Sequence, residues 1–230
     1  MCWSSAVAVI LVTLTSVWFL LSRKLRSLRP RDSPGITRLC CVLGSGGHTT
    51  EMMKLVTSLP PETYSPRTYI MAETDRFSEA KVEELEKERL GEHVIVRVPR
   101  AREVTSSIIY CIGAIRSDHH YHFQVGQSYV SSVFSTLKAL KHCLVPVISH
   151  QPQLLLVNGP GTCLPVAIIT WLLHVSRLSR CQIIFVESLC RVKTLSLTGK
   201  ILQHFATESL VLWPELAEKY PKTKYIGKFL

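Results

Sequence analysis

The apolar run Arg38-Leu-Cys-Cys-Val-Leu43 passes without a spacer into Gly44-Ser-Gly-Gly-His-Thr-Thr-Glu51. A buried strand that enters a glycine turn and then a helix is the junction at which α/β proteins bind phosphate. Gly44, Gly46 and Gly47 have no Cβ, so the backbone can turn sharply and come close to a ligand. The helix starting near His48 offers unpaired N–H groups and the positive end of its dipole. This turn, with Ser45 inside it, predicts a phosphate or diphosphate ligand. Thr49 and Thr50 either donate to that ligand or cap the helix.

Further along, short apolar runs alternate with helical stretches. Strands are expected at 39–43, 68–72, 94–98, 154–157, 183–186 and 210–212, and helices at 49–58, 78–89, 129–143, 164–174, 193–205 and 214–219. Such alternation predicts an α/β fold, a Rossmann-like parallel sheet with helices on both faces. In such sheets ligands lie beyond the carboxyl ends of the strands. Three loops should therefore converge: the glycine turn, Asn158-Gly-Pro-Gly-Thr162, and Glu187-Ser-Leu-Cys-Arg191-Val-Lys193. Together they would offer amides, hydroxyls, a carboxylate and two cations to a phosphorylated ligand.

The chain carries a net charge of +10, which invites a nucleic-acid reading. Its distribution argues against one. Arg23, Lys24, Arg26, Arg29 and Arg31 crowd together directly after a segment, Met1 to Ser22, that has no charge. The stretch from Trp3 to Leu21 is long enough to span a bilayer. A basic flank, rather than a small-residue cleavage site, points to an anchor instead of a signal peptide and keeps the main domain cytosolic. The expected organisation is a transmembrane anchor over 1–22, a basic linker over 23–37 carrying Pro30, Pro34 and Gly35, and one domain over 38–230. Eight cysteines without a C-x-x-C pair suit a reduced compartment.

Gly44-Ser-Gly-Gly-His-Thr-Thr-Glu51, Asn158-Gly-Pro-Gly-Thr-Cys163 and Val186-Glu-Ser-Leu-Cys-Arg-Val-Lys-Thr-Leu-Ser-Leu-Thr-Gly-Lys200 closely resemble one family. It is the membrane-anchoring subunit of the dolichol-pathway UDP-N-acetylglucosamine transferase. The resemblance takes in the anchor, Pro99-Arg-Ala-Arg-Glu103 and Trp213-Pro. A more distant likeness is to the bacterial lipid-linked muramyl-peptide N-acetylglucosaminyltransferase, whose single chain has two Rossmann-like halves. The resemblance implies the acceptor-side half of a GT-B glycosyltransferase, with a separate cytosolic chain supplying the UDP-sugar half and docking near the carboxyl end. It further implies transfer of the second N-acetylglucosamine, in β1,4 linkage, to N-acetylglucosaminyl-diphospho-dolichol at the cytosolic face of the endoplasmic reticulum. About 190 residues remain once anchor and linker are set aside, enough for one domain of ordinary size and half of such an enzyme.

The resemblance also implies roles for particular residues. Gly44, Ser45, Gly46, Gly47 and Thr49 would hold the acceptor diphosphate, with Asn158, Gly159, Gly161 and Arg191 completing the substrate site. His48 would deprotonate or orient the acceptor hydroxyl, imidazole being suited to base work near neutral pH; the competing reading is a cap or a phosphate ligand. Glu187, at the end of a buried strand, is either a catalytic, substrate-orienting group or one half of a salt bridge to Arg191 or Lys193. No cofactor and no metal is expected, although Ser117-Asp-His-His-Tyr-His122 superficially invites zinc. The segment 107–128 departs from the family as extra sequence.

Two other functions compete. A membrane-anchored NAD(P)-dependent reductase would use the glycine turn and an acid, Glu73 or Asp75, after the second strand. Thr49 stands at the third glycine position, however, and the Tyr220-to-Lys224 pair contains Pro221. A scaffold that only recruits the partner would leave three ligand-type loops unexplained.

Overall fold

Alternation of side chains along the central strands divides the core into two apolar layers. The computed structural model describes residues 2–27, 33–98, 142–159 and 163–227. In β1 (Leu39–Val42), Leu39 and Cys41 face one layer and Cys40 and Val42 the other. In β4 (Leu154–Asn158), Leu154 and Leu156 join the first layer and Leu155 and Val157 the second. Strands buried on both faces read as continuous apolar runs, as these do.

The remaining strands are β2 (Arg67–Ala72), β3 (His93–Val98), β5 (Gln182–Val186), β6 (Glu208–Val211) and β7 (Lys224–Tyr225). All seven pair in parallel in the order β3-β2-β1-β4-β5-β6-β7. The chain therefore winds outward in one direction from β1, then returns to β4 on its other side. The carboxyl ends of β1 and β4 form the topological switch point. Register keeps those ends level, with Val42 opposite Val157.

Helix α2 (Gly47–Thr57) contributes Met52, Met53 and Val56 to the first layer, and α3 (Arg76–Glu86) contributes Val82. Residues 142–150 are helical, and with α4 (Cys163–Val175) they cover the second layer through Cys143, Val147, Leu164 and Val166. Short helices α5 (Leu197–Leu202) and α6 (Pro214–Lys219) complete the carboxyl side.

Three elements differ from expectation. Helix α5 begins at Leu197, not 193, because the Ser196 hydroxyl caps the Gly199 amide at 3.0 Å. Helical residues continue to 150, through Pro146 and past the expected end at 143. The two-residue β7 has too short a pattern to be read from sequence.

The amino-terminal α1 (Cys2–Ser27) is a continuous helix of 26 residues. Its carboxyl end touches the domain at the amino ends of the strands. There the Trp18 indole donates to the Ser176 carbonyl at 3.3 Å, and the Gln151 amide donates to the Leu25 carbonyl at 3.0 Å. Among the described residues no helix is long and apolar enough to cross a membrane, so the expected span is not shown. The segment 107–128, with its histidines, lies outside the described residues.

Candidate functional site

At the switch point, β1 delivers the glycine turn and β4 delivers Asn158 to the same place. Gly46 precedes α2 with φ +71, a left-handed conformation that favours glycine, and among the described residues no side chain caps the helix. The Thr49 amide donates to the Gly46 carbonyl at 3.2 Å, and the earlier amides of that turn are left for another acceptor. Ser45, Gly46 and Gly47 are exposed, and a Cβ added at Gly46 or Gly47 would meet nothing within 4 Å among the described residues. The cradle is open.

Thr49 does not reach into it. Its hydroxyl is fully buried and donates to the Gly44 carbonyl, with the Ser78 hydroxyl 2.6 Å away. Thr49 therefore holds the turn in shape, and the second threonine, Thr50, accepts from the Lys81 ammonium at 3.0 Å.

His48 stands on the first turn of α2, its side chain 30% exposed. Its Nδ1 lies 2.9 Å from Asn158 Oδ1 and 3.8 Å, an ion-pair separation, from Glu51 Oε2. Asn158 is fully buried, and its Nδ2 donates to Glu51 Oε2 at 2.9 Å. Glu51 Oε1 accepts from the Ser188 hydroxyl at 2.9 Å and the Leu189 amide at 3.2 Å. One carboxylate thus ties together α2, the end of β4 and the loop after β5. Glu51 closes the glycine motif, yet the motif alone gave it no role. The only local signal was its place one helical turn beyond His48.

Gly159 follows with φ +92, and a Cβ there would lie 2.5 Å from His48 Nδ1. The imidazole packs directly on the glycine backbone. Gly161 lies outside the described residues.

Glu187 is 1% exposed, and neutral groups hold it. Its carboxylate accepts from its neighbour's amide, Ser188 N, at 3.1 Å and from Ser196 N at 2.7 Å. Among the described residues it forms no ion pair with Arg191 or Lys193, so the salt-bridge reading is corrected. Gly199 makes room for it, since a Cβ there would sit 2.5 Å from Oε2. Buried this way, Glu187 shapes the third loop from beneath. Arg191 and Lys193 are exposed on that loop.

The electrostatics follow from these contacts. Interaction with Glu51, opposed by partial burial and reinforced by the Asn158 amide, raises the His48 pKa above the ordinary imidazole value. Burial alone would raise the Glu51 carboxyl, but His48, Asn158 and Ser188 outweigh it and hold it below the usual range. Of the two acids the reductase reading offered, Glu73 is exposed beyond β2. Asp75 is occupied as the N-cap of α3, accepting from the Ser78 amide at 3.0 Å and the Ser78 hydroxyl at 2.6 Å.

The family described as "Oligosaccharide biosynthesis protein Alg14 like" matches residues 39–119 and 120–229. The chain is similar to the UDP-N-acetylglucosamine transferase subunit ALG14 of Mus musculus, 36% identical over 99% of this chain and 96% of that protein. It is likewise 37% identical to the subunit of that name from Homo sapiens, over 99% and 95% of the two chains. The Yarrowia lipolytica subunit is 37% identical over 86% of this chain and 83% of its own length. In fold it is similar to MurG of Acinetobacter baumannii, with a TM-score of 0.52 at 12% identity, covering 84% of this chain and 45% of that one.

Proposed function

The chain belongs to the Alg14-like family, whose relatives are named UDP-N-acetylglucosamine transferase subunits, and from that premise we propose that it is the acceptor-binding half of a two-chain glycosyltransferase. The observation that carries this reading is the switch point itself. A helix amino terminus that no described side chain caps, an exposed glycine turn and a partly exposed histidine stand together there.

In this reading the acceptor is N-acetylglucosaminyl-diphospho-dolichol. Its diphosphate takes the amides of Ser45, Gly46 and Gly47, and Arg191 and Lys193 offset its charge from the third loop. His48 Nε2 takes the proton of the acceptor 4-hydroxyl while that oxygen attacks the anomeric carbon of UDP-N-acetylglucosamine. The bond to UDP breaks as the new one forms, and UDP leaves with the electron pair. The configuration inverts, giving the β1,4 product. The donor binds the cytosolic partner, which docks at the carboxyl end, where Tyr225 and Ile226 are exposed.

A single-pass anchor over 1–22 holds the domain on the cytosolic face of the endoplasmic reticulum. Its support is a helix of 26 residues whose uncharged stretch ends at Arg23 and Lys24. Its exposed apolar side chains include Val12, Val17, Phe19 and Leu20. An apolar helix with a basic flank on one side orients by that flank.

Membranes bearing this chain, assayed with and without the cytosolic partner, test the proposal. Transfer from UDP-N-acetylglucosamine to N-acetylglucosaminyl-diphospho-dolichol should require both chains. Absence of transfer with both folded chains present would refute it.

A further inference from the structure

Nothing above assigns a function to Glu51, although it has more polar partners across the three loops than either residue flanking it. We propose that Glu51 is a positioning residue that dictates, through Asn158, which nitrogen of His48 carries the proton. The inference rests on His48 acting as the base.

An ionised carboxylate only accepts, so the group that Asn158 presents to Glu51 at 2.9 Å must be its NH₂. The amide oxygen is thereby turned to His48, 2.9 Å from Nδ1. A carbonyl oxygen only accepts, so Nδ1 must carry the hydrogen. In the neutral ring the lone pair then falls on Nε2, which has no hydrogen-bond partner among the described residues. Glu51 cannot rotate away from this duty, because its other oxygen is held by the Ser188 hydroxyl and the Leu189 amide. Its charge also stands 3.8 Å from Nδ1. It is therefore placed to steady the imidazolium that forms when Nε2 takes a proton.

Glu51→Gln inverts the relay without changing its shape. The new amide can keep its oxygen toward Ser188 and Leu189, and then its NH₂ faces Asn158. Asn158 must turn its own oxygen to meet it, which presents NH₂ to His48 Nδ1. Nδ1 becomes an acceptor, the hydrogen moves to Nε2, and the base is lost. Adding Asn158→Asp reverses this. The new carboxylate accepts both from the side-chain amide now at position 51 and from His48, and returns the hydrogen to Nδ1.

The test uses the full chain co-purified with its cytosolic partner, with ¹⁵N-labelled histidine and His48 resonances assigned by their loss in His48→Gln. The wild type should show the Nδ1–H tautomer, and Glu51→Gln the Nε2–H tautomer. In the single variant kcat should fall on the order of 10²-fold, the lower range for a lost general base, with KM for the acceptor little changed. The double variant should regain the Nδ1–H signature and, of the lost kcat, roughly tenfold or more. A wild type in the Nε2–H form, an unchanged tautomer in Glu51→Gln, or a double variant that regains neither would overturn the proposal. A wild type with the Nδ1–H form but no transfer would instead sink the transferase reading and leave the tautomer assignment intact.

Discussion

Two buried carboxylate networks lie at opposite edges of one sheet, and they are built in opposite ways. At the amino edge, Glu86 of α3 receives both arms of the Arg67 guanidinium, at 2.8 and 2.6 Å, and the Tyr69 hydroxyl. The other Arg67 donors go to the carbonyls of Tyr64 and Leu90, so charge and hydrogen-bonding capacity are both satisfied. At the carboxyl edge, Glu51 and Glu187 are held by amides, a hydroxyl and a side-chain amide. Among the described residues the only ion-pair partner of either is His48, and only when the ring is protonated. A buried charge with its counter-charge in place is a structural device. Carboxylates left to neutral donors beside an accessible histidine suit, on the proposed reading, a charge that arrives later.

The difference should be measurable. The largest effect belongs to the amino edge. Arg67→Met strands the Glu86 charge and should cost about 3–5 kcal/mol, read as a fall in denaturant midpoint, while transfer per folded molecule stays near normal. Because Glu86 is held below the usual carboxylate range, its contribution exists above that range and fades as pH falls through the depressed value. The stability gap between wild type and variant should therefore narrow as pH falls through that value.

Next is Gly159→Ala, which presses a Cβ against the His48 ring at a φ of +92. It should cost about 1–3 kcal/mol in stability. Displacement of the ring should also lower transfer on the order of 10²-fold, as misplacing a reactive group does. A variant that lost stability but kept full turnover would show that the ring need not be so placed.

A pH profile sharpens the same contrast more gently. On the proposed reading His48 works as a neutral base, and its pKa is raised, so the acid limb of kcat/KM should lie above the ordinary imidazole value of about 6.5. Removing the Glu51 charge should move that limb toward lower pH. A limb at the same pH in both proteins would take His48 out of the profile. The smallest change is Arg191→Ala. It is exposed, so stability should stay within about 0.5 kcal/mol, while KM for the acceptor rises up to about tenfold, one charge-assisted contact.

Much of this was legible in the sequence. Runs such as Leu154-Leu-Leu-Val157 predict buried parallel strands, and the glycine turn after β1 fixes where the ligand edge lies. What could not be read depends on contacts between distant segments. Glu51 meets Asn158 and Ser188 across 107 and 137 residues, so its role exists only once β4 and β5 stand beside β1. Thr49 stood open between phosphate donor and helix cap because burial cannot be seen in a motif, and the Ser78 hydroxyl beside it comes from α3. Glu187 invited a salt bridge to its sequence neighbours, whereas the backbone of its own loop folds around it.

The central claim is that the carboxyl edge, not the amino edge, holds the chemistry. It is tested most directly by measuring transfer to N-acetylglucosaminyl-diphospho-dolichol for His48→Ala in membranes that retain the partner. The account predicts a loss of about 10²–10⁴-fold with recruitment and folding unchanged. Full transfer by that variant would contradict it and leave the chain a scaffold for chemistry carried elsewhere.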